Sequence, residues 1–310
     1  MNWRMPKLHI THQTIRREDG TTLRYFDTEP GSSGNGRPCL VLANGLGGPL
    51  TAWSHQIEHF RDRFRVLSWD YRGLYGSAFP RGRVPDLSIR AHVADLKAVL
   101  AAAGVDRAVF FGWSMGVQVI LELCDECPER VSHLVLINGT FGRPLDGVGV
   151  PFLGRFLPGA VHHAQRLHVV GSAILQRASR WEETGAWLKR LGVIAHSLDA
   201  ELFAEMAVDF GSLDLETYLK MLSVLGEHDA EHVLPRIEVP TLVVTGTRDV
   251  FTPPAMAERM ADTIPQGELL IVPGGTHYAA AEYPEVINRR ITRFLQRQGL
   301  LEAPPTRAAG

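Results

Sequence analysis

An α/β architecture is predicted by three features of the chain: a mostly parallel, doubly wound sheet of about eight strands, with a helical cap inserted late in it. Short apolar runs alternate with helical stretches of about 12 residues over most of the length. The alternation stops between Asn138 and Pro240, where only helical periodicity remains. A strand, a sharp turn and a helix also meet at one serine, in Gly112-Trp113-Ser114-Met115-Gly116. Glycines on both sides of that serine suit a turn too tight for neighbouring side chains, with the hydroxyl projecting from the top of the sheet.

The elements follow in order. Ile10 to Arg17 and Thr22 to Thr28 read as strands joined by Glu18-Asp19-Gly20-Thr21, a hairpin turn that gives the sheet an antiparallel edge. Pro30 to Gly36 is a loop on composition. Cys39 to Ala43 is a buried strand, Trp53 to Phe64 an amphipathic helix, Phe64 to Trp69 a strand and Ile89 to Ala103 a helix. Ala108 to Phe111 is the strand before the serine, and the helix after it repeats apolar residues from Val117 to Leu123. Leu134 to Ile137 is the next strand. Beyond the gap come Thr241 to Thr245 (strand), Pro253 to Thr263 (helix), Glu268 to Val272 (strand) and Val286 to Gln298 (closing helix). Within it, Arg166 to Arg177, Trp181 to Leu191, Ala200 to Phe210 and Leu215 to Leu225 carry helical spacing. The expected organisation is a core of residues 1–138 and 239–300, a helical cap of 139–238 and a flexible tail of 301–310.

Composition narrows the function. The chain has 310 residues, 45% of them hydrophobic, and a formal net charge of −2. That balance offers nothing to a nucleic acid or an anionic membrane surface. No apolar run approaches the roughly 20 residues needed to cross a bilayer, so no membrane insertion is expected. Met1 to Lys7 lack the apolar centre of a secretory signal, and a cytoplasmic location is the expectation. Cys39, Cys124 and Cys127 are an odd count without a second pair or a histidine at ligand spacing, which reads as buried structural thiols. His162, His163 and His168 have no carboxylate or cysteine at ligand spacing, so no metal is expected.

A serine hydroxyl needs a base within hydrogen-bond reach and a group to orient that base. Asp249 follows the Thr241 strand and His277 follows the Glu268 strand, which puts both on the sheet rim that carries Ser114. Asp249 alone could cap the helix near Pro253, and His277 alone could be one of 13 ordinary histidines. Their joint placement at three strand ends, in the chain order Ser, Asp, His, favours a catalytic triad. Acyl transfer also needs donors for a developing oxyanion. The Met115 amide is one candidate, and the Leu46 amide in the glycine-rich Asn44-Gly45-Leu46-Gly47-Gly48 is the other. Gly45, Trp53 and Trp113 lie beside these groups and are candidate substrate contacts, with core packing the competing role for the tryptophans. Asp70 and Arg72 are expected to brace their loop by an ion pair.

The chain resembles the α/β-hydrolase fold superfamily of the serine-triad, capped, esterase-like type, from about Ile10 to Gln298. The resemblance rests on N-G-L-G-G (44–48), W-D-Y-R-G (69–73), G-W-S-M-G (112–116), T-G-T-R-D-V-F-T-P (245–253) and G-G-T-H-Y-A-A-A-E-Y-P-E (274–285). It implies a hydrolase of small-molecule esters or related acyl compounds, without metal or organic cofactor. Carbon–carbon bond, lactone or amide hydrolysis, perhydrolysis and non-catalytic ligand binding remain as alternatives, and homo-oligomerisation is left open. The chain departs from the pattern at Asn44, where histidine is usual, at Tyr75 and Thr276, where glycine is, and at Val117, where a second glycine often follows the elbow. Asn44 is expected to hydrogen-bond within its own loop.

Overall fold

The computed structural model of the chain describes residues 11–31, 36–80, 82, 85–143, 176, 177, 179 and 184–302. Eight strands form one sheet: β1 (His12–Arg16), β2 (Thr22–Asp27), β3 (Cys39–Ala43), β4 (Arg65–Trp69), β5 (Ala108–Trp113), β6 (Val131–Ile137), β7 (Thr241–Gly246) and β8 (Gly267–Val272). Their order is β1-β2-β4-β3-β5-β6-β7-β8. The β1–β2 hairpin and the β2–β4 pair are antiparallel, and every pairing from β4 to β8 is parallel. The predicted fold class is the observed one.

Burial follows from that order. Strands β3, β4, β5 and β7 are buried at every residue, as a parallel sheet covered on both faces requires. The outer β1 alternates exposed and half-buried residues, and β8 at the other edge is only half-buried until Val272. Side chains alternate between two apolar layers. Val41, Phe110 and Leu136 pack with α2 (Ile89–Ala102) and α3 (Met115–Glu126), through Val93, Leu96, Val119 and Leu123. Leu40, Phe111 and Ile137 face α1 (Ser54–Phe60) and the closing helix, through Ile57, Phe60, Ile291 and Phe294.

Between β6 and β7 the described residues form α4 (Thr184–Arg190), α5 (Ala200–Gly211) and α6 (Leu215–Glu227). Asp199 and Asp214 cap the last two, accepting from Leu202 N and Thr217 N. The core then resumes with α7 (Pro254–Thr263), the short α8 (Ala279–Glu282) and α9 (Pro284–Arg297). The helix expected over Trp53 to Phe64 is shorter, because Leu50–Trp53 wind as a 3₁₀ turn and the helix ends at Phe60. The helix expected over Arg166 to Arg177 and the tail lie largely outside the described residues. Among the described residues no helix is long and apolar enough to cross a membrane.

Candidate active site

Ser114 stands between β5 and α3 with φ 54° and ψ −118°, a conformation that strains a residue bearing a Cβ. Its surroundings leave it no choice. Ser114 N donates to Ile137 O on the neighbouring strand at 3.1 Å, and Ser114 O accepts from Val117 N at 3.0 Å. A Cβ on Gly116 would lie 2.1 Å from Ala43 O, so only glycine lets α3 start this close to β3. The bulk of Val117 is taken up by Gly139, whose own Cβ would meet Val117 at 2.3 Å.

The structure brings Ser114, His277 and Asp249 into one hydrogen-bonded chain. His277 Nε2 is 2.9 Å from Ser114 Oγ, and Nδ1 lies 3.1 and 3.0 Å from the two Asp249 oxygens. Asp249 does not cap a helix, since α7 begins later with Pro253 at its N-cap. Its carboxylate instead gathers donors: Phe251 N at 3.0 Å, Thr252 N at 2.9 Å, Thr252 Oγ1 at 2.6 Å and Asn138 Nδ2 at 2.8 Å. Burial works to raise the Asp249 carboxyl, but the charge of His277 and hydrogen bonds from His277 and Thr252 outweigh it. They hold the group below the usual carboxylate range. An acceptor-only carboxylate on Nδ1 leaves Nε2 free to accept the serine proton.

The loop after β3 is a tight turn. Gly48 N donates to Gly45 O at 2.9 Å, and Gly47 has φ 68°, as the third position of a type II turn requires. Leu46 is the second residue of that turn, half-buried, and its amide is not engaged by a backbone carbonyl among the described residues; neither is that of Met115. Gly45 lies against the elbow, where a Cβ would fall 3.2 Å from Ser114 Cβ and 3.1 Å from the Trp113 ring.

Other expected residues take different parts. Asn44 bonds outside its loop, donating to Trp69 O at 3.0 Å and accepting from Trp53 Nε1 at 2.8 Å. Trp53 is therefore a core residue, 1% exposed, with its polar atom committed to Asn44. Trp113 donates from Nε1 to His277 O at 2.9 Å and so ties the elbow strand to the histidine loop. The edges of both rings line a narrow apolar cavity with Ala52, Met206, Tyr278, Ala280 and Ala281. Asp70 and Arg72 do not pair with each other. Arg72 grips Asp95 of α2 through two bonds of 2.6 and 2.7 Å, while Asp70 pairs with Arg24 of β2. The reason is direction: one side chain turns toward α2 and the other toward the antiparallel edge.

Cys39 and Cys124 are buried thiols pushed up to about 12 by desolvation, whereas Cys127 is half-buried. His162, His163 and His168 lie outside the described residues, and among those described no cluster could hold a metal ion.

Sequence reasoning missed Asn138, Thr252, Glu282 and Phe251. Asn138, with φ 45°, joins Asp249 to Thr276 O. Glu282 is buried and accepts from Thr276 N, Thr276 Oγ1 and, across the molecule, Ala195 N. This explains Thr276: its hydroxyl is a partner that glycine would lack. Phe251 sets its exposed ring edge-on to His277 at 5.2 Å. Asparagine at the end of a strand was a usable signal; the others become visible only in three dimensions.

An open, mostly parallel sheet with a serine on a strained turn and a histidine and carboxylate on the same rim defines a class of protein, and the comparisons agree. The family profile of the alpha/beta hydrolase fold matches residues 38–284, and the chain belongs to that family. It is similar to a 2-hydroxy-6-oxononadienedioate/2-hydroxy-6-oxononatrienedioate hydrolase of Burkholderia vietnamiensis, 30% identical over 298 residues, covering 90% of this chain and 93% of the relative. A protein of Agrobacterium fabrum provisionally named carbamate hydrolase RutD is 26% identical over 259 residues, covering 83% and 93%. Among solved structures, the enol-lactonase of Burkholderia xenovorans LB400 superposes with a TM-score of 0.65 at 25% identity, over 90% of this chain and 98% of its own. Together these similarities support a hydrolase.

Proposed function

We propose that the chain is a serine hydrolase that cleaves carboxylic esters with a hydrophobic acyl or alcohol part through an acyl-enzyme. The observation that carries this reading is the unbroken chain from Ser114 Oγ through His277 to Asp249, at 2.9 and 3.0 Å. His277 takes the serine proton as Ser114 attacks the carbonyl carbon, and Asp249 holds the Nδ1–H tautomer and steadies the imidazolium. The amides of Met115 and Leu46 receive the oxyanion. His277 then returns the proton to the leaving alcohol, and water activated by the same ring releases the acid. No metal or cofactor enters these steps. The insertion 139–238 serves as the cap over this site through its described helices α4 to α6, and the small apolar cleft lined by Trp113 and Met206 is the apolar surface nearest the substrate.

A second reading, hydrolysis of a carbon–carbon bond in a dienone-type substrate by the same residues, is favoured by the Burkholderia vietnamiensis relative. Steady-state hydrolysis of p-nitrophenyl esters of increasing acyl length, set beside a dienone dicarboxylate, distinguishes the two. Short esters are expected to be the better substrates, and Ser114→Ala to lower kcat by about 10⁴-fold or more. An unchanged rate in that variant excludes the mechanism.

A further inference from the structure

Tyr75 occupies a backbone conformation that suits glycine. Its φ is 51°, one of four positive values among the described non-glycine residues, and two of the others are Ser114 and Asn138 of the candidate site. A Cβ is unfavourable there, so a tyrosine needs a compensating role. The structure supplies one: the phenol donates to Gly47 O at 2.6 Å. Burial, then the nearby carboxylates of Asp209 and Asp70, push its ionisation far upward, so it remains a donor.

The turn that presents Tyr75 is itself anchored. Gly76 N donates to Asp70 Oδ2 at 3.0 Å, Ser77 Oγ to Asp70 O at 2.8 Å, and Asp70 is paired with Arg24. A Cβ on Gly76 would meet Arg24 Nε at 2.2 Å, which fixes how this segment lies against β2. Four residues earlier, Tyr71 donates from its phenol to Asn44 O at 2.7 Å. Two phenols from one segment thus hold both shoulders of the Gly45–Gly48 turn. The turn's own hydrogen bond uses only Gly48 N and Gly45 O, so the Gly47 carbonyl depends on Tyr75 for its orientation.

We propose that Tyr75 is a positioning residue for oxyanion stabilisation: by holding the Gly47 carbonyl it orients the turn so that the Leu46 amide meets the oxygen of the tetrahedral intermediate. The inference rests on the serine-hydrolase reading above. It accounts for the tolerance of strain at residue 75, because a glycine there would relax the backbone and release the turn.

The test uses the full chain and the variants Tyr75→Phe and Tyr75→Gly, with Tyr25→Phe as a control whose phenol bonds Gln13 at the outer strand pair. Readouts are kcat and KM for a short p-nitrophenyl ester, affinity for a trifluoromethyl ketone, which forms a tetrahedral adduct, and the pH profile of kcat/KM. Tyr75→Phe is expected to lower kcat roughly tenfold with KM within about twofold, since a small misplacement of a donor costs that order. Ketone affinity should fall by a similar factor, with the pH profile unmoved because the Ser114, His277 and Asp249 contacts are untouched. Tyr75→Gly should show the same loss despite its relaxed backbone, which keeps the test open if the phenylalanine variant folds poorly. Tyr25→Phe should keep full activity. Wild-type kcat and ketone affinity in either Tyr75 variant overturn the positioning role, and so does a shifted pH profile, which would locate the effect at the histidine instead. A wild-type chain that neither hydrolyses the ester nor labels at Ser114 with a fluorophosphonate overturns the serine-hydrolase reading, and the inference with it.

Discussion

The rim of the sheet holds its loops in two ways. Ser114, Asp249 and His277 each lie within a few residues of a strand end, and short-range bonds set their directions: the elbow glycines at Ser114, the Thr252 turn at Asp249, the Gly275 turn before His277. The Asn44–Gly48 turn also follows a strand, yet its shape depends on side chains from other segments, namely Trp53, Tyr71 and Tyr75. The contrast is one of degree. Local turns set most of the direction of Ser114, Asp249 and His277, with Asn138 and Trp113 bonding in from other strand ends, whereas the Asn44–Gly48 turn is held chiefly by side chains from outside it.

The sharpest way to break the first kind of loop is at Asp249. Asp249→Asn keeps the size of the side chain but lets the wrong imidazole tautomer form, and about a 10⁴-fold loss of kcat is expected in ester hydrolysis, by analogy with the aspartate of a serine-protease triad. A loss below tenfold would mean that the carboxylate does not orient the histidine. Gly116→Ala attacks the elbow itself. With a Cβ only 2.1 Å from Ala43 O, denaturant unfolding should show a loss of about 3 kcal/mol or more, with activity falling alongside. Unaltered stability would show that the helix start has slack that the packing denies.

A milder test concerns the supported turn. His92 of α2 is fully buried edge-on to Tyr71 at 4.9 Å. Desolvation, reinforced by the charge of Arg72, lowers its pKa to about 3. A histidine with a lowered folded pKa contributes its full stability above the unfolded value near 6.5, and loses it as pH falls from there toward 3. Wild-type stability should therefore drop relative to His92→Phe by about 1.4 kcal/mol per pH unit over that window, with little difference at pH 7.5. Parallel pH curves for the two proteins would show that His92 is not the titrating group.

Most of the fold was legible, because burial on both faces makes β3, β4, β5 and β7 nearly pure apolar runs, and the helices between them keep their period. The antiparallel edge was legible from one turn, Glu18 to Thr21. The helix limits near Trp53 and Phe64 were less so, since a 3₁₀ start and a hydrogen-bonded turn after Phe60 leave no mark on periodicity. Ser114, Asp249 and His277 could be read because each follows a strand, and all strand ends of a parallel sheet face one way.

Local order along the chain thus decides the alternation of elements, the strained serine and the side of the sheet on which chemistry can occur. Folding in space decides the partners: Arg72 with Asp95 rather than Asp70, Trp53 with Asn44, Glu282 with both Thr276 and Ala195, Tyr75 with Gly47. The physical reason is range. Periodicity and turn chemistry act over a few neighbouring residues, whereas a hydrogen bond between residues 28 or 87 positions apart depends on how layers pack, and packing leaves no local trace.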